Sequence, residues 1–195
     1  MTIGNSWDAS TYQTTYRSAV GAIEKLIRPL IMSEMNINSG GRVLECGLGS
    51  GKWSAGFALL GYQVYAIDNS EAMIEQVRKN FPNIKIQYIV KDVRDAPLIY
   101  PPVDLLFSEG LIEHFLDDEE RMKVLTNFYN AVKGYVSIIV PYKSIEENEI
   151  YYTKKKLCDE VKTAGFKILN VYIFRFLSAD AITLKNLVGI NAQKQ

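Results

Sequence analysis

The sequence predicts an α/β fold of three layers, in which helices cover both faces of a seven-stranded, mostly parallel sheet. Five apolar segments rich in β-branched residues alternate with helical segments, the order that parallel strands and their crossover helices produce. Two more such segments end the chain without a helix between them, so they are expected to form an antiparallel hairpin. A chain of 195 residues with 48% apolar content can bury roughly 70% of its unfolded surface as one domain.

The first element is predicted to be a helix from about Tyr16 to Glu34. Its apolar residues recur every three or four positions on one face, at Val20, Ile23, Ile27 and Leu30. Pro29 lacks a backbone N–H and is expected to kink this helix. The single domain, 1–195, therefore divides into an N-terminal lid and helix at 1–36 and a core at 37–195.

The elements of the core follow from strand-like segments bounded by caps and glycines. We expect strands at residues 43–46, 61–68, 84–90, 103–110 and 135–140, with helices at about 50–60, 70–80, 117–132 and 153–165. Ser70 and the pair Asp117 and Glu120 have side chains that cap helix starts, and Gly165 suits a helix end. The closing hairpin is expected at 166–176 and 181–190.

Three alternating glycines follow directly after the first strand, at Gly47, Gly49 and Gly51. Glycines let a backbone turn sharply and approach a bound molecule, and the helix that begins there directs free N–H groups at it. The dinucleotide fingerprint G-x-G-x-x-G would need a glycine where Lys52 stands. Glu45, two residues before the first glycine, is a poor neighbour for a pyrophosphate but suits a ligand with a positive amino group.

Carboxylates also follow the second and third strands. Asp68 ends the second strand, 23 residues after Glu45, where a carboxylate can accept hydrogen bonds from ribose hydroxyls. Asp92 follows the third strand. Either aspartate alone is compatible with an ordinary turn or helix cap, and their shared order along the chain favours a binding site.

Together these features resemble the class I S-adenosylmethionine-dependent methyltransferases, whose first motif is an acid, any residue and three alternating glycines. The resemblance spans roughly residues 40–175. A closing antiparallel hairpin is also a feature of this Rossmann-like methyltransferase fold. It implies S-adenosylmethionine as the cofactor and S-adenosylhomocysteine as the product. The residues that it assigns to the cofactor are Glu45, Gly47, Gly49, Gly51, Asp68, Asn69, Asp92, Val93 and Ser108.

The resemblance also implies specific contacts. Glu45 would receive the ammonium group of the cofactor, Asp68 the ribose hydroxyls and Asp92 the adenine amino group. Glu45 has a second interpretation, because a buried carboxylate at a strand end can instead hold a loop by accepting backbone N–H bonds.

Methyl transfer to a small-molecule acceptor by in-line displacement is the activity that the resemblance implies. The chain would mainly position the two reactants. His114 is the only histidine and follows the fourth strand, so it is the candidate catalytic base, with structural packing as the alternative. Glu109 and Glu113 are further carboxylates of this region.

Two other functions remain compatible with the sequence. A noncatalytic module or partner subunit could bind S-adenosylmethionine without transferring its methyl group. A nicotinamide-dependent reductase would have to bind pyrophosphate despite Lys52 and Glu45.

Two segments are candidates for a lid over the acceptor. One is the N-terminal segment with Trp7, Tyr12 and Tyr16, which could instead be a frayed end. The other lies between Pro141 and Thr153 and combines Tyr142, Tyr151 and Tyr152 with Glu146, Glu147 and Glu149. Aromatic rings with acids suit a small cationic or planar acceptor, and equally a solvated loop.

The composition and motifs of the sequence limit the kinds of partner that we expect and the location of the protein. With 22 basic and 22 acidic residues the chain has no net charge to attract nucleic acid, and Ser108 to Leu111 do not form the Asn/Asp-Pro-Pro-Tyr motif of base N-methyltransferases. No apolar run approaches the ~18 residues of a membrane span, and no metal-ligand cluster is visible. Cys46 and Cys158 fit a reducing compartment, so a cytoplasmic location is expected. Composition does not indicate an oligomeric state.

Overall fold

The structure is a computed structural model that describes residues 15–142, 150–177 and 184–195. Within these residues the strands are β1 (Arg42–Cys46), β2 (Gln63–Asp68), β3 (Ile86–Val90), β4 (Val103–Glu109), β5 (Val132–Pro141), β6 (Phe166–Leu177) and β7 (Leu184–Lys194). The α-helices are α1 (Tyr16–Ala22), α2 (Lys52–Leu59), α3 (Glu71–Asn80), α4 (Asp118–Ala131) and α5 (Lys154–Thr163).

In the described part of the chain these strands form one sheet in the order β3-β2-β1-β4-β5-β7-β6. β1 to β5 are parallel, and β7 runs antiparallel to both β5 and β6. The predicted fold class, with its antiparallel closing hairpin, is therefore confirmed. The chain builds outward from β1 to β3 and then returns to β4 on the other side of β1, which opens a crevice at the carboxyl ends of these two strands.

Helices cover both faces of this sheet, and two apolar layers result. One face packs against α4 and α5 through residues such as Phe128 and Leu157. The other packs against α2 and the N-terminal helical segment, where Phe57 and Ile27 are fully buried. Because parallel strands are buried on both sides, the sequence shows them as apolar runs rather than as alternating patterns.

The N-terminal helical segment spans the predicted residues but is not one uniform α-helix. After α1 the hydrogen bonding changes to a π-helix at Ile23–Ile31, which contains Pro29, and ends in a 3-10 turn at Met32–Glu34. Pro29 cannot donate an N–H bond, so the regular α-helical ladder cannot continue through it. Of the predicted buried face, Ile23 and Ile27 are buried, whereas the wider helix also turns Leu26 and Ile31 into the core.

The predicted caps at Ser70 and Asp117 are present, and Thr153 caps α5 in the same way. Each accepts a bond from the backbone N–H three residues later. The Glu120 side chain, predicted to share the cap of α4, pairs with Arg94 instead. The fifth strand differs from the prediction, since it begins at Val132 rather than Tyr135 and includes Gly134. A Cβ at Gly134 would lie 2.6 Å from the Asp104 carbonyl oxygen, so only glycine lets β5 pass this close to β4.

Candidate cofactor site

The three glycines between β1 and α2 have positive φ angles, 78° at Gly47, 47° at Gly49 and 73° at Gly51, but their surroundings differ. A Cβ at Gly51 would lie 2.3 Å from Val77 of α3, and one at Gly47 would lie 3.3 Å from Leu111. At Gly49 no heavy atom lies within 4 Å of that position. Gly51 is thus required by packing, whereas Gly49 faces open space at the crevice.

Glu45 is buried at the end of β1, with only 1% of its surface exposed. Its Oε2 atom accepts a 2.9 Å bond from the Ser54 backbone N–H and a second bond from the Ser54 hydroxyl. Burial raises the pKa of Glu45 to about 8, although both Ser54 bonds act in the opposite direction. The carboxyl group is therefore tied to the first turn of α2, and its predicted contact with an ammonium group stays a prediction.

Asp68 joins the end of β2 to the glycine loop. One carboxylate oxygen accepts a 3.0 Å bond from the Leu48 N–H, and the other accepts a 2.9 Å bond from the Ser70 N–H. Burial raises the pKa of Asp68, while backbone N–H groups, including that of Asn69, lower it. Asn69 itself is exposed beside the carboxylate. Asp68 therefore ends β2 beside the glycine loop and holds that loop, and its contact with the ribose stays a prediction.

Asp92 follows β3 and is held by Arg94. The guanidinium approaches both carboxylate oxygens, at 3.0 Å from Nε to Oδ1 and 2.6 Å from Nη2 to Oδ2. These bonds hold the pKa of Asp92 below its usual range. The adjacent Val93 is buried, and its carbonyl accepts a 2.9 Å bond from the Asn127 side chain on α4. Arg94 and Asn127 fix this turn, and no sequence motif indicated either of them.

The end of β4 contributes Ser108 and Glu109. Ser108 is buried, and its hydroxyl has no hydrogen-bond partner within the described ranges. The Glu109 Oε2 atom accepts a bond from the Trp53 indole N–H and lies 3.3 Å from the Lys52 Nζ atom. Lys52, which stands where a dinucleotide fingerprint would need a glycine, therefore pairs with a carboxylate of the protein.

His114 ends a short 3-10 helix, Ile112–His114, directly after β4. It is half-buried, and its backbone N–H donates to the Leu111 carbonyl at 3.2 Å. Leu111 is also the residue that faces Gly47. The segment after β4 thus packs beside the glycine loop, which brings His114 to the predicted edge of the sheet.

The second candidate lid is only partly described, because residues 143–149 lie outside the described ranges, as do Trp7 and Tyr12 of the first. Tyr151 is half-exposed. Tyr152 is fully buried instead, and its hydroxyl donates a 2.6 Å bond to Glu160, which also binds the buried Arg121. Tyr152 is therefore a core residue and cannot serve in a lid, a fact that depends on α4 and α5 closing around it.

The described residues contain neither a metal-binding cluster nor a membrane-spanning helix. Their His, Cys, Asp and Glu side chains form no group of three or more arranged to hold a metal ion. None of their helices has the length and apolar content to span a membrane.

Comparison with known sequences gives two findings. A family model described as a methyltransferase domain matches residues 43–134. An uncharacterized methyltransferase of Oceanobacillus iheyensis is 30% identical over 139 residues, which are 71% of this chain and 62% of that protein. The chain thus spans about three fifths of the length of this curated relative.

Solved structures share the fold. A methyltransferase from Methanosarcina mazei superposes with a TM-score of 0.71 at 18% identity, over 85% of this chain and 97% of that one. The magnesium protoporphyrin IX methyltransferase of Synechocystis, solved with bound S-adenosylhomocysteine, gives a TM-score of 0.69 at 13% identity over 92% and 83% of the two chains.

Proposed function

We propose that this chain, whose residues 43–134 match a methyltransferase domain and whose fold is that of S-adenosylmethionine-dependent methyltransferases, transfers a methyl group from S-adenosylmethionine to a small-molecule acceptor. The observation that supports this most is the crevice between β1 and β4. Along the same edge of the sheet, the open side of Gly49, the carboxylate of Asp68 and the turn around Asp92 follow the carboxyl ends of β1, β2 and β3, which are neighbouring strands. Ligands of open α/β sheets bind at such a change in strand order.

The residues present fit the cofactor of this family. Asp68 would accept hydrogen bonds from the ribose, Asp92 would receive the adenine amino group, and Gly49 would allow close approach of the loop. Lys52 is paired with Glu109 rather than directed at a phosphate. That pairing favours a sulfonium donor over a dinucleotide, because a pyrophosphate requires cationic or N–H partners.

When bound, S-adenosylmethionine supplies a methyl group already activated by its positive sulfur. The work left to the chain is to align the acceptor with that methyl group and to exclude water. In the overall reaction the acceptor's lone pair forms the new bond to carbon, the sulfur keeps the electrons of the broken bond, and a proton leaves the acceptor if it carried one.

His114 is the proposed base for an acceptor that must lose a proton. Its position after β4, beside the glycine loop, supports this role, because that segment borders the same crevice. Histidine is the side chain that most often serves as a general base in proteins.

The acceptor is proposed to be a small molecule. The magnesium protoporphyrin IX methyltransferase shares the fold at only 13% identity. Its acceptor is therefore not carried over to this chain. Support comes instead from the balanced charge of the sequence, which offers little attraction to nucleic acid.

Calorimetry with two ligands tests the cofactor. We expect S-adenosylhomocysteine to bind and NADH not to bind. Binding of NADH alone would replace the proposal with that of a reductase.

Methyl transfer itself is tested with methyl-labelled S-adenosylmethionine and a cell extract. We expect label to appear in a metabolite that gains the mass of one methyl group, and its formation to require the protein. Saturable cofactor binding without label transfer to any acceptor would instead indicate a noncatalytic module.

A further inference from the structure

The first turn of α2 is held by two carboxylates from neighbouring strands. Ser54 donates both its backbone N–H and its hydroxyl to Glu45 of β1. Trp53 donates its indole N–H to Glu109 of β4, and the Lys52 Nζ atom lies 3.3 Å from the same carboxylate oxygen. Three consecutive residues of one helical turn are therefore fastened to the two strands that border the crevice.

Helix α2 cannot cap its own start. Its N-cap residue is Gly51, which has no side chain and makes no capping bond. The first N–H groups of a helix have no partner within the helix, and each needs an acceptor from elsewhere. Glu45 supplies that acceptor to the third helical residue, Ser54, from a different element of the fold.

We propose that Glu45 is a positioning residue, which fixes the first turn of α2 and the glycine loop through Ser54 and makes no contact with the ammonium group of the cofactor. This inference rests on the proposed cofactor. The geometry supports it because the Oε2 atom of Glu45 already accepts both bonds from Ser54. Only 1% of Glu45 is exposed, so its side chain presents almost no surface to a ligand in the crevice. Burial also raises the pKa of Glu45 to about 8.

Two ligands distinguish positioning from direct contact. One is S-adenosylhomocysteine, and the other is its deaminated analogue, in which hydrogen replaces the amino group. A residue that contacts the ammonium group affects only the first ligand, whereas a residue that positions the loop affects both by the same factor. This comparison is the equivalent of a double-mutant cycle, in which one change is made in a side chain and the other in a group of the ligand.

The variants are Glu45→Ala, Glu45→Gln and Ser54→Ala, with binding measured by calorimetry. We expect Glu45→Ala to weaken both ligands by about tenfold, which corresponds to one lost hydrogen-bonded anchor. Glu45→Gln should stay within about threefold of the wild type, because its amide oxygen can still accept from Ser54. The double variant Glu45→Ala/Ser54→Ala should be no weaker than Glu45→Ala alone, since the Ser54 hydroxyl has already lost its acceptor in Glu45→Ala.

Glu75→Ala is the matched control, because Glu75 lies exposed on α3 and pairs with Arg78. Its affinity for both ligands should equal that of the wild type. If Glu45→Ala does not fold, Glu45→Gln and Ser54→Ala decide the question. Glu45→Gln preserves the packing volume, and Ser54→Ala preserves the backbone bond to Glu45.

Two results would overturn the inference. A loss restricted to S-adenosylhomocysteine in Glu45→Gln or Glu45→Ala would show direct contact with the ammonium group. Wild-type affinity for both ligands in Glu45→Ala and Ser54→Ala would show that the anchor does not position the loop. A wild-type protein that does not bind S-adenosylhomocysteine would instead refute the proposed function, and this inference with it.

Discussion

At the scale of single residues, the same side chains that face the crevice also hold its walls. Asp68 accepts bonds from Leu48 on the loop and from Ser70 at the start of α3. Asp92 is occupied by Arg94, and Glu45 by Ser54. Substitutions at these positions are therefore expected to change local structure, and those at Asp68 and Asp92 also the proposed ligand contacts, so experiments must measure both effects.

Asp68→Ala is expected to weaken S-adenosylhomocysteine binding by roughly 1–3 kcal/mol, because charged hydrogen bonds to the ribose are lost. The free energy of unfolding should also fall by about 1–2 kcal/mol, since the N–H groups of Leu48 and Ser70 lose their acceptor. Calorimetry and denaturant unfolding measure the two effects. Unchanged affinity in the folded variant would remove Asp68 from the site.

Glu45 should make stability depend on pH. Its pKa is 4.5 in an unfolded chain and about 8 in the folded protein, because burial disfavours the charged form. Between these values the folded protein keeps a proton that the unfolded chain has released, so the free energy of unfolding falls as pH rises, by at most about 1.4 kcal/mol per pH unit.

Glu45→Gln cannot titrate, so its stability relative to the wild type should increase from pH 5 to pH 8. Urea unfolding of both proteins across this range measures the difference. A difference that does not change with pH would mean that Glu45 does not titrate in this window.

At the scale of elements, the three glycines of the loop have different surroundings. Gly49 borders the open crevice, whereas Gly51 lies against Val77 of α3, and Gly47 lies against the segment after β4. The helix before the core shows a similar division. Its apolar periodicity predicted its span, but the change to a π-helix at Ile23–Ile31 comes with packing against α2 and the sheet.

Gly51→Ala should therefore lower the free energy of unfolding more than Gly49→Ala. Both impose a positive φ on alanine, which costs roughly 1–2 kcal/mol, but only the first places a methyl group 2.3 Å from Val77. We expect an additional loss of roughly 1–3 kcal/mol from this overpacking. Denaturant unfolding of both variants tests the contrast, and equal losses would contradict the assigned packing role.

At the scale of the whole molecule, the crevice depends on the order of strands. β1 and β4 lie side by side although β2 and β3 come between them along the chain. The bond from Trp53 of α2 to Glu109 of β4 likewise joins residues that are 56 positions apart. The face that packs against α4 and α5 is closed by the buried network of Arg121, Glu160 and Tyr152. A ligand in the crevice would contact the loops that follow β1, β2 and β3 and would stabilise the folded molecule as a unit.

S-adenosylhomocysteine should therefore raise the free energy of unfolding, by about 2.7 kcal/mol at a free concentration of 100 times its Kd. Thermal or denaturant unfolding with increasing ligand measures this shift, with NADH at the same concentrations as the control. A shift with NADH and none with S-adenosylhomocysteine would contradict the family cofactor.

The sequence by itself determined the order of elements, the closing hairpin, the glycine loop and the resemblance to a methyltransferase family. These depend on local patterns, such as apolar runs, caps at Ser70 and Asp117, and the spacing of Glu45 and the glycines. Only the tertiary structure decided what each side chain contacts. Glu45 and Glu109 hold the first turn of α2 through Ser54 and Trp53, and Tyr152 enters the core, because distant parts of the chain meet there. Hydrogen bonds of buried groups depend on such long-range neighbours, which no local pattern encodes.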